Sequence, residues 1–161
     1  SMTPLILGKR HVKHLSEMIP NMPPTQVINQ NGIKRYSYPI TSIAHLIGSR
    51  LIGFMNLRSN YTCSIEMIDP ETDSHKHNDS GTGRDAIYLV NIGAKPFTLL
   101  YTDPRVNTEY MHQVEVGTSF ILSTTHPYTI INSMNDTPAI YFSVNAYENF
   151  TNTVRRFQHQ W

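Results

Sequence analysis

Cysteine is nearly absent from this chain, since Cys63 is the single cysteine among 161 residues. One cysteine cannot form an internal disulfide, so the fold must depend on a packed core, which a chain of this length can build as one domain. A reducing compartment is therefore permitted. The sequence also lacks an apolar run of signal-peptide length and any run long enough to cross a membrane. We therefore expect a cytoplasmic protein without a membrane partner.

An excess of either charge is also absent. The chain carries 13 basic and 12 acidic residues, a formal net charge of +1, and only 16% of its residues are charged. Such a balance creates no field that would attract nucleic acid or a membrane surface. We therefore expect the partner to be a small molecule or a peptide. Asn, Ser, Thr and Tyr fill the polar positions, a composition common in β-rich proteins.

Short strand patterns dominate the chain from about residue 51 onward. Tyr61, Cys63, Ile65 and Met67 alternate with polar residues, which is typical of a strand with one buried face. Glycines and Pro- or Asn-containing turns separate the later apolar runs at short intervals. This spacing predicts an antiparallel sandwich or barrel. The predicted strands are 51–57, 61–67, 86–92, 97–101, 111–116, 119–122, 128–132 and 139–145.

The first 34 residues differ from the remainder because prolines interrupt them. The prolines are Pro4, Pro20, Pro23 and Pro24, and they predict an irregular N-terminal extension over 1–34, with one short helix over 12–18. We expect a single β domain over 35–161, with a helical turn at 43–47 and a C-terminal helix over 148–158.

Histidines form the most informative cluster in the sequence. His75-Lys-His77-Asn-Asp79 places two imidazoles and a carboxylate within five residues, and His126 stands alone much further along. His77, Asp79 and His126 could offer two nitrogens and one oxygen to one face of an ion, an arrangement that suits non-haem Fe(II). Because eight histidines are present in the chain, a solvated polar loop is the alternative interpretation.

The order of these segments resembles the double-stranded β-helix of Fe(II)- and 2-oxoglutarate-dependent oxygenases, especially the aspartyl/asparaginyl β-hydroxylase-like branch. The similarity lies in Asp69-Pro70, His77-Asn-Asp79, Arg84, Gly117 and the segment from His126 to Asn132. It covers about Ile65 to Val144. It implies a jelly-roll domain in which Fe(II) is bound by His77, Asp79 and His126, and which hydroxylates an unidentified substrate.

The resemblance also implies residues that bind 2-oxoglutarate. This family places an Arg or Lys about ten residues after the distal histidine, whereas this chain has Asn135-Asp136-Thr137-Pro138-Ala139 there. Arg84 is the expected substitute, because neutral donors replace an arginine–carboxylate clamp poorly. Tyr88 and Asn132 are the other candidates for hydrogen bonds to a bound acid.

Two other interpretations remain open. Cupins share the same β-helix and begin with His-x-His, so resemblance to them implies His75, His77 and His126 as ligands, with Asp85 as the carboxylate. That reading predicts a metal-dependent dioxygenase, isomerase or small-ligand binding protein. The third interpretation is a non-enzymatic β-sandwich used for binding or assembly. In any of the three, an exposed sheet edge would allow a homodimer.

Overall fold

Ten strands and one helix make up the regular structure of the residues that the computed structural model describes, which are 5–9, 23–38, 61–78, 85–103, 106–146 and 149–158. The elements are β1 (Leu5–Lys9), β2 (Gln26–Gln30), β3 (Ile33–Ser37), β4 (Tyr61–Ile68), β5 (Ala86–Asn91), β6 (Phe97–Asp103), β7 (Thr108–Val114), β8 (Thr118–Ser123), β9 (Tyr128–Ile131), β10 (Ala139–Ala146) and α1 (Phe150–Gln158).

The strands form two antiparallel sheets. The larger sheet has seven strands in the order β1-β8-β5-β10-β4-β3-β2, and the smaller has three in the order β7-β6-β9. The prediction of a mainly β fold with a C-terminal helix is therefore confirmed. The seven predicted strands from residue 61 onward coincide with β4 to β10, with small differences at their ends.

The apolar core lies between the two sheets. Ile68 and Leu89 of the larger sheet and Leu99 and Ile130 of the smaller sheet belong to one buried cluster. We call the side of the larger sheet that carries this cluster its inner face. Because side chains alternate along a strand, every second residue of β4, β5, β8 and β10 points to this face. Replacing one of these leucines or isoleucines by alanine typically costs about 2–5 kcal/mol.

The opposite, outer face is also buried where the central strands of the larger sheet cross it. Cys63, Ile65 and Val144 lie on it, and each is less than one-tenth exposed. The alternation in β4 predicted one buried face, but the structure buries both. The polar side of β4, with Ser64 and Glu66, therefore points into the interior between the sheets.

Within the segment predicted to be irregular over 1–34, the described residues form strands. β1 pairs with β8 at one edge of the larger sheet, and the hairpin of β2 and β3 forms the opposite edge. These strands have five residues each, too few to produce a clear alternation among the prolines. The helix expected over 12–18, the helical turn at 43–47 and the strand at 51–57 lie outside the described residues.

A dipeptide turn connects β2 to β3. Asn31 and Gly32 have φ values of 55° and 76°, so both occupy the left-handed region that a two-residue type I′ hairpin turn requires. The turn also contacts the histidine segment, because the His75 amide donates to the Asn31 carbonyl at 2.8 Å. The hairpin thus supports the start of the candidate site.

The histidine segment runs along the free edge of the smaller sheet. Asp73 forms an isolated bridge with Ile131, and His77 forms another with Tyr128. Each bridge is antiparallel, so the segment extends the order of the smaller sheet beyond β9. This placement brings His77 beside the strand that follows His126.

Replacing Gly32 by alanine should destabilise the fold. A left-handed conformation costs a residue with a Cβ about 1–2 kcal/mol, whereas the space around Gly32 would accept the methyl group, since its nearest contact would be 3.4 Å. We therefore expect Gly32→Ala to unfold at a lower midpoint concentration of urea than the wild type. Asn31→Gly is the matched control and should leave the midpoint nearly unchanged; an equal loss in both variants would contradict the assigned turn.

Candidate functional site

His77 lies half-buried with both ring nitrogens engaged. Its Nδ1 lies 2.6 Å from the His75 carbonyl oxygen, and its Nε2 lies 3.0 Å from the Tyr128 hydroxyl. A carbonyl oxygen can only accept, so Nδ1 carries a proton, and in the neutral ring Nε2 accepts from the Tyr128 hydroxyl. Histidine ligands of metals usually have this arrangement, in which the second ring N–H donates to a carbonyl or carboxylate.

His126 is buried, with 9% of its surface exposed, and neither ring nitrogen has a hydrogen-bond partner among the described residues. A buried polar group without a partner costs about 1–3 kcal/mol, and such groups in native proteins usually meet a ligand, an ion or a water. The imidazole therefore fits a metal-ligand role, because coordination would satisfy one of these nitrogens.

Two tyrosines place His77 and His126 on the same side of the smaller sheet. The Tyr128 and His77 ring centroids are 4.4 Å apart, and the Tyr101 and His126 centroids are 6.5 Å apart with the rings edge-on. Tyr101 and Tyr128 are register partners on β6 and β9 and belong to the buried core. Both histidines thus border the interior between the sheets, as the metal-site hypothesis requires.

The alternative ligands are not brought to the same place. His75 is exposed, with its ring beside Gly32, and Asp85 is half-buried just before β5. Across the described ranges, no group of three His, Cys, Asp or Glu side chains could hold a metal ion. Since His75, His77, His126 and Asp85 are all described, the ligand set expected from the cupin resemblance is not assembled.

Two of the predicted site residues fall outside the described residues. They are Asp79, the expected carboxylate ligand, and Arg84, the expected partner of 2-oxoglutarate. Their roles stay predictions. The described part of the site therefore contributes two imidazoles, and Asp79 is the predicted third ligand.

Tyr88 lies on the wrong face of the sheet for the role expected of it. Its register partners are Val144 and Ile121, and its neighbours Ile87 and Leu89 are the residues that point into the core. Tyr88 is fully buried on the outer face. The sheet therefore separates its side chain from both histidines.

Asn132 lies near the smaller sheet, but its side chain holds a loop together. Its two amide hydrogens donate to the carbonyls of Asp69 and Thr137, each at 3.1 Å, and its carbonyl oxygen accepts from the Asn135 amide at 2.8 Å. Both donors that a bound acid would need are thus already in use. The amide instead fixes the connection between β9 and β10.

A polar strip on the inner face is the part of the site that sequence reasoning missed. It consists of Ser64 and Glu66 on β4, Tyr141 and Ser143 on β10, and Arg35 on β3. The four residues on β4 and β10 are at most 1% exposed. The alternation in β4 was the available signal, because its polar positions form this strip. The sequence alone does not show that the apolar positions of β4 are buried on the opposite face as well.

The strip includes a partly buried ion pair and a phenol. Arg35 Nε lies 2.8 Å from Glu66 Oε1. Burial, followed by the negative charge of the adjacent Glu66, raises the pKa of Tyr141 well above its usual value. The Tyr141 hydroxyl therefore stays protonated at neutral pH and can serve as a hydrogen-bond donor.

Known proteins resemble this chain in fold and not in sequence. No family profile and no curated protein matches the sequence. Among solved structures, a deletion mutant of Bacillus subtilis oxalate decarboxylase matches with a TM-score of 0.55 at 10% identity, covering 78% of this chain and 29% of that one. Lactobacillus farciminis oxalate decarboxylase in complex with formate matches with a TM-score of 0.52 at 10% identity, covering 78% and 31%.

A structure from a study of the Mn(II) centres of the Bacillus subtilis enzyme matches similarly, with a TM-score of 0.54 at 10% identity and coverages of 76% and 28%. The fold is that of the cupins. The double-stranded β-helix predicted from the sequence is thus confirmed. The chain spans less than a third of the length of these structures.

The cupin fold here places Cys63 away from the histidines. Its thiol lies on the outer face, 3.7 Å from the Tyr38 carbonyl, and burial raises its pKa to about 11. The thiol therefore stays protonated at neutral pH and is not positioned as a ligand. In the described part of this cupin fold, no helix has the length and apolar character needed to cross a membrane.

Cys63 should react slowly with a thiol reagent in the folded protein. Only the thiolate attacks such reagents, and a pKa of about 11 leaves little thiolate at pH 8. We expect negligible labelling by a chromogenic disulfide in the native state and complete labelling in guanidinium chloride. Rapid native labelling would contradict the buried placement, and Cys63→Ala should leave metal binding unchanged.

Proposed function

We propose that this chain is a mononuclear metal-dependent protein of cupin fold that acts on a small molecule. His77 and His126 would supply two imidazole ligands, and Asp79 a carboxylate. The observation that carries the proposal is the buried His126 ring, whose nitrogens lack partners among the described residues and which borders the same interior as His77. We further infer that the protein is an enzyme.

The donor set favours Fe(II) or Mn(II). Two imidazoles and one carboxylate on one face leave further coordination positions open, a pattern associated with non-haem Fe(II). The similar oxalate decarboxylase structure from a study of Mn(II) centres makes manganese the second candidate. Such an ion would supply Lewis-acid or redox chemistry to a bound substrate.

The surrounding residues would orient the ligands and limit access of water. The His75 carbonyl holds the protonated Nδ1 of His77, so Nε2 keeps one direction, and an ion bound there would replace the Tyr128 hydroxyl contact. Tyr101 and Tyr128 cover the histidines from the core side and are at most 4% exposed. Electrostatic interactions with a substrate are stronger in such a water-poor interior.

An oxygenase that uses 2-oxoglutarate would employ the same three ligands. The comparisons support the cupin reading better, because the matched structures described above are oxalate decarboxylases. The expected cosubstrate residue Arg84 lies outside the described residues, Tyr88 is on the outer face, and Asn132 has no spare amide hydrogen. Use of 2-oxoglutarate stays a prediction, which turnover can test.

Metal binding should depend on His77, Asp79 and His126. Protein purified without a His-tag and incubated anaerobically with Fe(II) or Mn(II) should retain the ion after desalting, measured by mass spectrometry. Each of His77→Ala, Asp79→Ala and His126→Ala should weaken binding by more than roughly 100-fold, because loss of a residue that merely orients a ligand already costs about 10–100-fold.

His75→Ala is the matched control, because it removes an exposed imidazole from the same segment. It should leave metal retention unchanged. Loss of metal in His75→Ala with retention in Asp79→Ala would instead support the ligand set of the cupin resemblance. Absence of metal from the wild-type protein, or full retention by His126→Ala, would refute the proposal and favour a non-enzymatic β-sandwich.

Succinate release separates the two enzyme classes. Metal-loaded protein incubated with 2-oxoglutarate and dioxygen should form no succinate above that formed by His126→Ala, since the cupin reading does not require this cosubstrate. Uncoupled oxygenases release succinate without their true substrate, so the assay needs no substrate knowledge. Succinate formation that depends on His126 would establish the oxygenase reading.

A further inference from the structure

Tyr128 and His77 are paired through their backbones as well as through their side chains. The His77 amide donates to the Tyr128 carbonyl at 3.1 Å, and the Tyr128 amide donates to the His77 carbonyl at 2.9 Å. The two residues therefore form a hydrogen-bonded antiparallel pair, in which the side chains lie next to each other. The backbone pairing thus holds the Tyr128 hydroxyl beside the imidazole.

The neutral imidazole of His77 has only one nitrogen that can accept a bond. Nδ1 donates to the His75 carbonyl oxygen at 2.6 Å, which leaves the lone pair of Nε2 as the acceptor. The Tyr128 hydroxyl lies 3.0 Å from Nε2. A lone pair that accepts this hydrogen cannot bind a metal ion at the same time. The hydroxyl and an ion would therefore compete for one atom.

Burial of Tyr128 makes the hydroxyl costly to displace. Tyr128 is 4% exposed and belongs to the core cluster, and its ring centroid lies 4.4 Å from that of His77. Water has little access to replace the bond to Nε2 once it is broken. Loss of a hydrogen bond by a buried group costs more free energy than the same loss at the surface. Displacement of the hydroxyl therefore opposes binding of an ion at His77.

His126 differs from His77 in this respect. Neither of its ring nitrogens has a hydrogen-bond partner among the described residues, although the residue is only 9% exposed. An ion bound at His126 would therefore displace no hydrogen bond of the described chain. The two expected ligands are thus unequal, because only His77 must first release another side chain.

We propose that Tyr128 regulates metal loading by competing with the ion for His77 Nε2. The ion binds His126 without displacing a neighbour, and it binds His77 only when the Tyr128 hydroxyl leaves. The affinity of the site for metal is therefore lower than its ligands alone would give. The inference rests on the proposed function, because it takes both histidines as metal ligands.

Titration of the purified protein with Mn(II) tests this competition, with the free ion measured by electron paramagnetic resonance. Tyr128→Phe removes the hydroxyl and keeps the aromatic ring in the core. We expect this variant to bind Mn(II) roughly 3- to 30-fold more tightly than the wild type, because no buried hydrogen bond has to be broken. Unchanged or weaker binding would overturn the proposal.

Tyr110→Phe is the matched control. Tyr110 and Tyr128 are the register partners of Tyr101 on its two sides, so all three lie in one row across the smaller sheet. The Tyr110 ring stacks on Tyr101 at 5.9 Å, two strands away from Tyr128. Tyr110→Phe should bind Mn(II) like the wild type. An equal gain in affinity in both variants would contradict a specific role for the hydroxyl beside His77.

Nuclear magnetic resonance of the histidine nitrogens gives a readout that needs no ion. In the wild type at neutral pH, His77 should show a protonated Nδ1 and an unprotonated Nε2, and the Nε2 chemical shift should move in Tyr128→Phe. The opposite tautomer would overturn the proposal, because Nε2 would then have no lone pair to accept from the hydroxyl.

The Mn(II) titration also separates this inference from the metal proposal. Binding of equal strength by the wild type and Tyr128→Phe would overturn only the competition. Absence of binding in both would refute the metal proposal, and the competition with it. Circular dichroism on every variant confirms that the sandwich is intact.

Discussion

Burial of the central strands of the larger sheet, β4, β5, β8 and β10, on both faces is the constraint on which the interior depends. A sheet covered on one side would turn the polar positions of β4 toward water, whereas here Cys63 and Ile65 pack on the outer face. Ser64 and Glu66 are consequently forced inward, opposite the smaller sheet. A buried carboxylate is tolerated only with a partner, and Arg35 on the adjacent strand provides it. The polar interior follows from burial of the apolar positions of β4 on the outer face.

The strands from residue 61 onward could be predicted from the sequence because local signals specify them. Alternation and turn residues act over a few positions, so β4 to β10 appear within a few residues of their predicted bounds. The Asn31-Gly32 hairpin also carries a local signal, which the prolines of the N-terminal segment obscured. β1 is different, because its place depends on pairing with β8, more than a hundred residues away.

Only the residues of the candidate site whose side chains are typical metal ligands could be predicted from the sequence. His77 and His126 stand out as potential ligands, and the structure brings both to the same interior. Their environment could not be predicted, because the Tyr128 contact to His77 links positions 51 residues apart and the Arg35 contact to Glu66 links positions 31 apart. Such contacts depend on strand register, which a single sequence does not reveal. The same limitation explains why the role expected of Tyr88 was wrong. The sequence does not show which face of β5 points into the core, and the Tyr88 side chain lies on the other face.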